Sequence, residues 1–442
     1  MSQSAVAPPS SDTSIDQRTL IVSSDGHAVA PMDDYKPYVT PALREDFEAF
    51  CEVYRQQGVR VTDPASLRNR VDEYLVEDWI ENVYGPGRHL GQGNADRRVE
   101  QLDREGIAGE ILFPDFGLPW ELHPPLVAAM IGYKRTPEQV EAANQAHNRW
   151  LADFCASKPG RFGGLALVSF ADVDTTVQEI RWAKEHGLVG IVLPSAPDDE
   201  PFFHPRNEPI WDVLEELEMP CNTHTAISSV TTYMPTGALK SLPHPALAGP
   251  IMTPPTFFFT QQILSHFIWG GIFERHPRLQ IALTEQGSGW VVTAMRGLDY
   301  SYEKSYLRRD VREVVKLKPS EYYARQVHMG SSLFSEAEAE ARYDIGVDKI
   351  TVGMDYPHHE GTWGVGPGTT EYLRATLGAA GVPADEARLM LGTNAIRLWH
   401  LDEPALRGVA ERIGPPIGDV LARPTDDFFP RGDVHKPLAS AW

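Results

Sequence analysis

Cysteine is scarce in this chain. Cys51, Cys155 and Cys221 lie far apart and in no C-x-x-C arrangement, which excludes a disulfide framework and zinc-finger spacing and fits a reducing cytoplasm. Long apolar runs are missing too. The nearest candidate, FFFTQQILSHFIWGGIF, is broken by Gln261, Gln262 and His266 and falls short of the ~20 residues that cross a bilayer. The opening residues, MSQSAVAPPSSDTSIDQ, have neither a basic start nor an apolar core, so they do not read as a signal peptide. Positive charge is in deficit: 40 Lys and Arg stand against 61 Asp and Glu, a net charge of −21. An acidic surface repels phosphate backbones and anionic lipid. The expectation is therefore a soluble, cytoplasmic protein with a small-molecule substrate and neither nucleic acid nor membrane as partner. An anionic substrate held by a metal stays compatible with that charge.

What is present is a large core. Of 442 residues, 42% are hydrophobic, with 17 Phe, 15 Tyr and 10 Trp, enough to exclude disorder and small disulfide scaffolds. Short runs rich in Val, Ile and Leu recur at Leu20–Ser24, Gly109–Phe113, Gly163–Val168, Val189–Leu193, Pro220–His224, Leu279–Glu285, Val327–Ser331 and Lys349–Asp355. Helical periodicity falls between many of them, at Pro137–Ser157, Thr175–His186, Glu208–Leu217 and Ala384–Leu398. Buried-looking strands alternating with helices predict a (β/α)8, TIM-like barrel. The expected organisation is a flexible arm over 1–19, one barrel over 20–402 with inserts at about 33–100 and 226–260, and a Pro-rich tail over 403–442. Both inserts follow strand ends that belong to the catalytic face of a barrel, which makes them candidate lids or subunit contacts.

The residues that bind metals fall at those strand ends. Asp25 and His27 follow the first strand in SSDGHAVAP, and His224 ends the fifth in CNTHT. Glu285 ends the sixth in LTEQGSGW, and Asp355 ends the eighth in VGMDYPHHEGTW, with His358, His359 and Glu360 just beyond. In a closed parallel barrel the carboxyl ends of the strands converge on one rim. A lone strand-end histidine is usually structural, and an Asp beside a Gly often caps a turn. Five such residues at four strand ends form the pattern of a catalytic divalent metal site. Asp355, closing an apolar strand, needs an ion or a partner; His358 or His359 is placed as a base that backs a ligand or contacts substrate. His147, His266 and His276 read as structural. GPGRHLGQGN lacks Rossmann context, so no dinucleotide site is expected, and no G-x-S-x-G elbow is present.

SSDGHAVAP, GGIFERHPRLQIALTEQGSGW, VGMDYPHHEGTW and LGTNAIRLW together resemble the amidohydrolase superfamily, in the amidohydrolase 2 branch related to aminocarboxymuconate-semialdehyde decarboxylase. The resemblance covers about residues 20–402 and implies a distorted barrel with a metal at its rim. Three positions depart from the decarboxylase pattern. Asp25 stands where the first His of His-x-His is expected, Glu285 replaces the sixth-strand histidine, and Ala30 stands where a Glu often precedes the proline. The fourth strand, VGIVLP, also lacks the lysine that bridges metals in binuclear relatives. Oxygen-rich ligation favours Mn or Fe over a His-rich zinc site, and a subgroup of the branch includes dinuclear iron or iron–manganese oxygenases.

Three functions follow as expectations. The first is a metal-dependent hydrolase or decarboxylase on a small, carboxylated substrate, with a divalent Zn, Mn or Fe, mono- or dinuclear, held by Asp25, His27, His224, Glu285 and Asp355. Asp355 then moves protons beside His358 and His359. The second is a dinuclear Fe or Fe/Mn hydroxylase on the same ligands. The third is a non-catalytic subunit supporting an active paralogue. The inserts and tail, with the habits of relatives, imply a homo-oligomer, or a hetero-oligomer with a paralogue.

Overall fold

The computed structural model describes residues 17–57, 64–68, 71–121, 134–194, 200–224, 241–243, 260–304, 308–332, 334–364 and 368–424. Eight strands carry the architecture: β1 (Val22–Ser23), β2 (Gly109–Leu112), β3 (Phe162–Leu167), β4 (Gly190–Val192), β5 (Cys221–Thr223), β6 (Ile281–Thr284), β7 (Val327–Ser332) and β8 (Ile350–Gly353). Each pairs in parallel with the next. The seam between β8 and β1 is joined by Ser24 N to Val352 O at 3.0 Å, Asp355 N to Asp25 O at 3.0 Å and His27 N to Tyr356 O at 2.7 Å. The result is the expected (β/α)8 barrel. Its strands are buried almost throughout, the environment for which runs of Val, Ile and Leu are suited.

Local chemistry sets the helix ends. The helix Pro137–Ala156 opens on a capping box between Thr136 and Gln139 with proline in its first turn, a device that satisfies two otherwise orphaned N–H groups. Asp172 caps Val173–Glu185 through the Thr175 amide. Asn94 caps Ala95–Glu105, which stops at Gly106 in the left-handed region. The single helix expected over Ala384–Leu398 is instead Ala384–Arg388, a π-helical turn Leu389–Thr393 and Asn394–Trp399. At Gly392 in that turn a Cβ would meet the Leu20 carbonyl oxygen at 2.6 Å. The backbone therefore approaches the chain entering β1 as closely as glycine allows.

The insert expected at 33–100 holds the helices Arg44–Gln57 and Glu73–Trp79. Ala95–Glu105 belongs to the barrel as the crossover to β2. Leu67, Val76, Trp79 and Val83 of the insert pack with Tyr356 and Trp363 in an apolar cluster apart from the main core, over the loop that follows β8. The second insert, at 226–260, lies outside the described residues except for 241–243 and Thr260.

The expected flexible arm and surface tail meet each other. Thr19 N donates to Pro415 O at 2.8 Å and Ile417 N to Gln17 O at 3.1 Å. The helix Glu403–Ile413 brings Leu406 against Gly109, at the entry of β2, and Ala405 against Gly160. The tail thus covers the amino-terminal end of the barrel, opposite the rim where the metal-type residues lie. Residues 1–16 and 425–442 lie outside the described set.

His147, expected as a core histidine, is fully buried, with Nδ1 3.0 Å from the Tyr35 hydroxyl. Burial pushes its pKa down to about 3. The folded chain therefore refuses a proton that the unfolded chain accepts near the ordinary histidine value. The stabilisation is complete above that value and is lost as pH falls toward 3. Between pH 6.5 and 4.5 the parent chain should lose about 2 to 3 kcal/mol more than His147→Leu, at ~1.4 kcal/mol per pH unit. Urea unfolding at both pH values checks this; equal losses would count against it.

Candidate metal centre

The barrel rim brings the expected residues together from the ends of β1, β5, β6 and β8. His224 Nε2 lies 3.3 Å from Asp25 Oδ1 and 3.1 Å from Glu285 Oε2. His27 Nε2 lies 3.6 Å from Asp25 Oδ1 and 3.3 Å from Asp355 Oδ1. One potential ligand atom from each of Asp25, His27, His224 and Glu285 falls within 4.8 Å of the others. The same limit holds for His27, Asp355 and His358, and for Glu285, Asp355, His358 and Glu360. Asp25 is fully buried and faces this cluster rather than capping a turn.

Outer partners aim these groups. His27 Nδ1 is 2.8 Å from the Pro114 carbonyl oxygen, to which it donates, and its Nε2 is directed inward toward Asp25 and Asp355. A backbone oxygen behind a histidine is the usual way its ligand tautomer is fixed. Ser332, at the end of β7, donates a short hydrogen bond to Asp25 Oδ2. His358 stacks on His27 with ring centroids 4.0 Å apart. Its Nδ1 lies 3.0 Å from Asp355 Oδ1 and its Nε2 3.4 Å from Asp115 Oδ1. Asp115 in turn receives a short hydrogen bond from Gln92 and one from the Phe116 amide at 2.7 Å.

The electrostatics of the cluster pull in opposite directions. Burial resists ionisation of Asp25, yet His224, His27 and Ser332 hold its pKa below the ordinary value. Burial, together with Asp355 and Asp25, pushes Glu285 well above the usual carboxylate range despite the pull of His224. Against the cost of burial, Asp355 and Asp115 hold His358 well above the ordinary histidine value. His27 Nε2 and Asp355 Oδ2 are buried without a hydrogen-bond partner among the described residues. Buried polar atoms normally have partners. A set of carboxylate oxygens and imidazole nitrogens left facing one point is the donor set that a divalent cation completes.

His359 is not brought to this point. Its Nδ1 pairs with Glu360 Oε2 at 2.7 Å and its ring stands edge-on to Trp79 of the insert. Trp363 fixes the same loop by donating from Nε1 to the His358 carbonyl oxygen at 2.8 Å. Trp290 Nε1 donates to Gly287 O at 3.0 Å. His276 pairs with Glu208 at 2.9 Å, and His266 packs against Phe202 and Phe203, both as expected of structural histidines. Asp115 and Ser332 were missed by the sequence reading although each follows the same strand-end logic, after β2 and at the close of β7.

Glu285 and Asp355 both sit at positive φ, 56° and 54°, where a non-glycine residue costs about 1–3 kcal/mol. Glu285→Gly removes that strain and one carboxylate from the crowded rim. The metal-free variant should be at least ~1 kcal/mol more stable than the parent in urea and should take up divalent metal more weakly. A less stable variant would argue that Glu285 is held for packing.

The amidohydrolase family (Amidohydro_2) matches residues 124–401. Gamma-resorcylate decarboxylase of Rhizobium radiobacter is 26% identical over 324 residues, covering 70% of this chain and 87% of that protein. An amidohydrolase of Mycobacterium avium subsp. paratuberculosis K-10 has a similar structure, with a TM-score of 0.62 at 18% identity over 86% of this chain and 99% of that one. A dihydroxybenzoic acid decarboxylase of Polaromonas sp. JS666, solved with manganese and the inhibitor 2-nitroresorcinol, gives a TM-score of 0.57 at 18% identity, over 86% and 97% of the two chains. At such identities the two structures speak for the shared barrel.

Proposed function

The chain belongs to the amidohydrolase family, and from that premise we propose that it is a divalent-metal-dependent decarboxylase of a small carboxylated aromatic substrate. The observation that carries this reading is the cluster of Asp25, His27, His224 and Glu285 at the barrel rim, with Asp355 in an adjoining group beside His27 and Glu285. Those five side chains would hold the ion, and manganese, found in the Polaromonas relative, suits so oxygen-rich a set. A bound divalent cation supplies Lewis-acid polarisation of substrate oxygens.

Loss of carbon dioxide breaks a carbon–carbon bond and leaves a pair of electrons on carbon, so a proton must be delivered there. Asp355 is the group we assign to that transfer. It lies beside His358, whose far nitrogen is held by Asp115, so a proton on His358 can recharge the Asp355 oxygen from behind. His358 is therefore the favoured base of the loop, while His359 pairs with Glu360 and faces the insert.

A second reading has an observation of its own. Glu285, Asp355, His358 and Glu360 form a further donor set that shares Glu285 with the first, as a carboxylate-bridged pair of ions needs. On that reading the protein is a dinuclear oxygenase. Metal content and oxygen dependence separate the two. One ion per chain with carbon dioxide released from γ-resorcylate under nitrogen supports the decarboxylase. Two ions per chain with oxygen consumed supports the oxygenase.

Asparagine tolerates positive φ better than other non-glycine residues, so Asp355→Asn should keep the fold of the parent. It should turn over substrate at least ~100-fold more slowly, as loss of an acid–base group does. Near-normal turnover by the folded variant would remove Asp355 from the proton transfer. His266→Gln, on the segment 260–269, should change turnover little.

A further inference from the structure

Arg98 lies on the helix Ala95–Glu105, belongs to none of the donor groups at the rim, and is fully buried. Its Nη1 donates a short hydrogen bond to the His27 carbonyl oxygen, and its Nη2 reaches the Tyr356 carbonyl oxygen at 3.4 Å. Nε donates to Glu110 Oε2 at 2.8 Å. The guanidinium also lies over the Tyr356 ring, 4.5 Å from its centroid. One planar group thus holds the backbone on both sides of the barrel seam, at residues adjoining Asp25, His27, Asp355 and His358.

We propose that Arg98, with Glu110 as its counter-charge, is a positioning residue that sets the span between the β1 and β8 ends and so the spacing of the donor atoms carried there. The inference rests on the divalent-metal reading above. Close packing supports it. Gly26 separates Asp25 from His27, and a Cβ there would come within 2.7 Å of Arg98 Nη2 and 2.1 Å of Glu110 Oε1. The ion pair is therefore pressed directly against the backbone that presents the ligands. Stability alone is a poor reason for the pair, because fully buried ion pairs can often be replaced by apolar groups with no loss of stability. A lysine keeps the charge but lacks the planar fork that reaches two carbonyls and a carboxylate at once.

The test uses the full chain, Mn2+ as the probe and competition against a chelator as the readout, with urea unfolding of the metal-free proteins alongside. Arg98→Lys keeps the charge and loses the fork; the double variant Arg98→Met with Glu110→Leu removes both charges and keeps apolar bulk. Each is expected to bind Mn2+ 10–100-fold more weakly than the parent, the range found when groups behind a metal ligand are removed, with a urea midpoint close to the parent's for the double variant. A folded double variant with the parent's Mn2+ affinity would overturn the proposal while leaving the metal reading intact. If Arg98→Lys fails to fold, the double variant decides. A parent chain that takes up no Mn2+ would overturn both.

Discussion

Mutual repulsion among buried carboxylates is the constraint around which this barrel is arranged. Asp25, Asp115 and Asp355 are almost fully buried and Glu285 is partly so, all at one rim. Asp25 and Asp355 add to burial in raising Glu285 well above the usual carboxylate range, as like charges do in a medium poorer in water than the bulk. Imidazoles from His27, His224 and His358 are interleaved among them; their attraction outweighs burial at Asp25 and Asp115, while Glu285 stays pushed up by burial and by its carboxylate neighbours. A chain has reason to keep such an arrangement where a divalent cation neutralises it.

That requirement reaches into the backbone. The strand ends of β6 and β8 turn through the left-handed region at the two carboxylates themselves, a conformation that points Glu285 and Asp355 across the rim rather than along the strand. The π-helical turn Leu389–Thr393 belongs with these local departures from regular geometry. It lets Gly392 lie against the chain just before β1 and so supports the strand that delivers Asp25 and His27.

The barrel was legible because each strand is a short apolar run buried on both faces, and each of the eight expected runs overlaps an observed strand. The ligand-type residues were legible because their chemistry is out of place at the end of such a run. Asp115 and Ser332 sit at equivalent positions but in FPD and SSL, stretches without the histidine that drew attention elsewhere. Glu110 did carry a signal, a charged residue within the otherwise apolar GEIL. Its partner Arg98 did not, because arginine on a helix whose residues are mostly charged reads as surface until the fold shows it buried. The π turn and the docking of residues 17–19 on the tail have no local pattern at all; both depend on contacts across most of the chain.

The seam between β1 and β8 has a consequence for how the molecule is made. The Met354 amide bonds to the Ser23 hydroxyl at a separation of 331 positions in the chain. Contacts of such separation close a very long loop and form late. β1 precedes β8 in the chain and keeps one open edge, with Asp25 and His27 apart from Asp355 and His358, until β8 pairs with it after the six strands between. His27 meets Asp355 and His358 only across this seam, so those donor atoms stand together only once the barrel is closed.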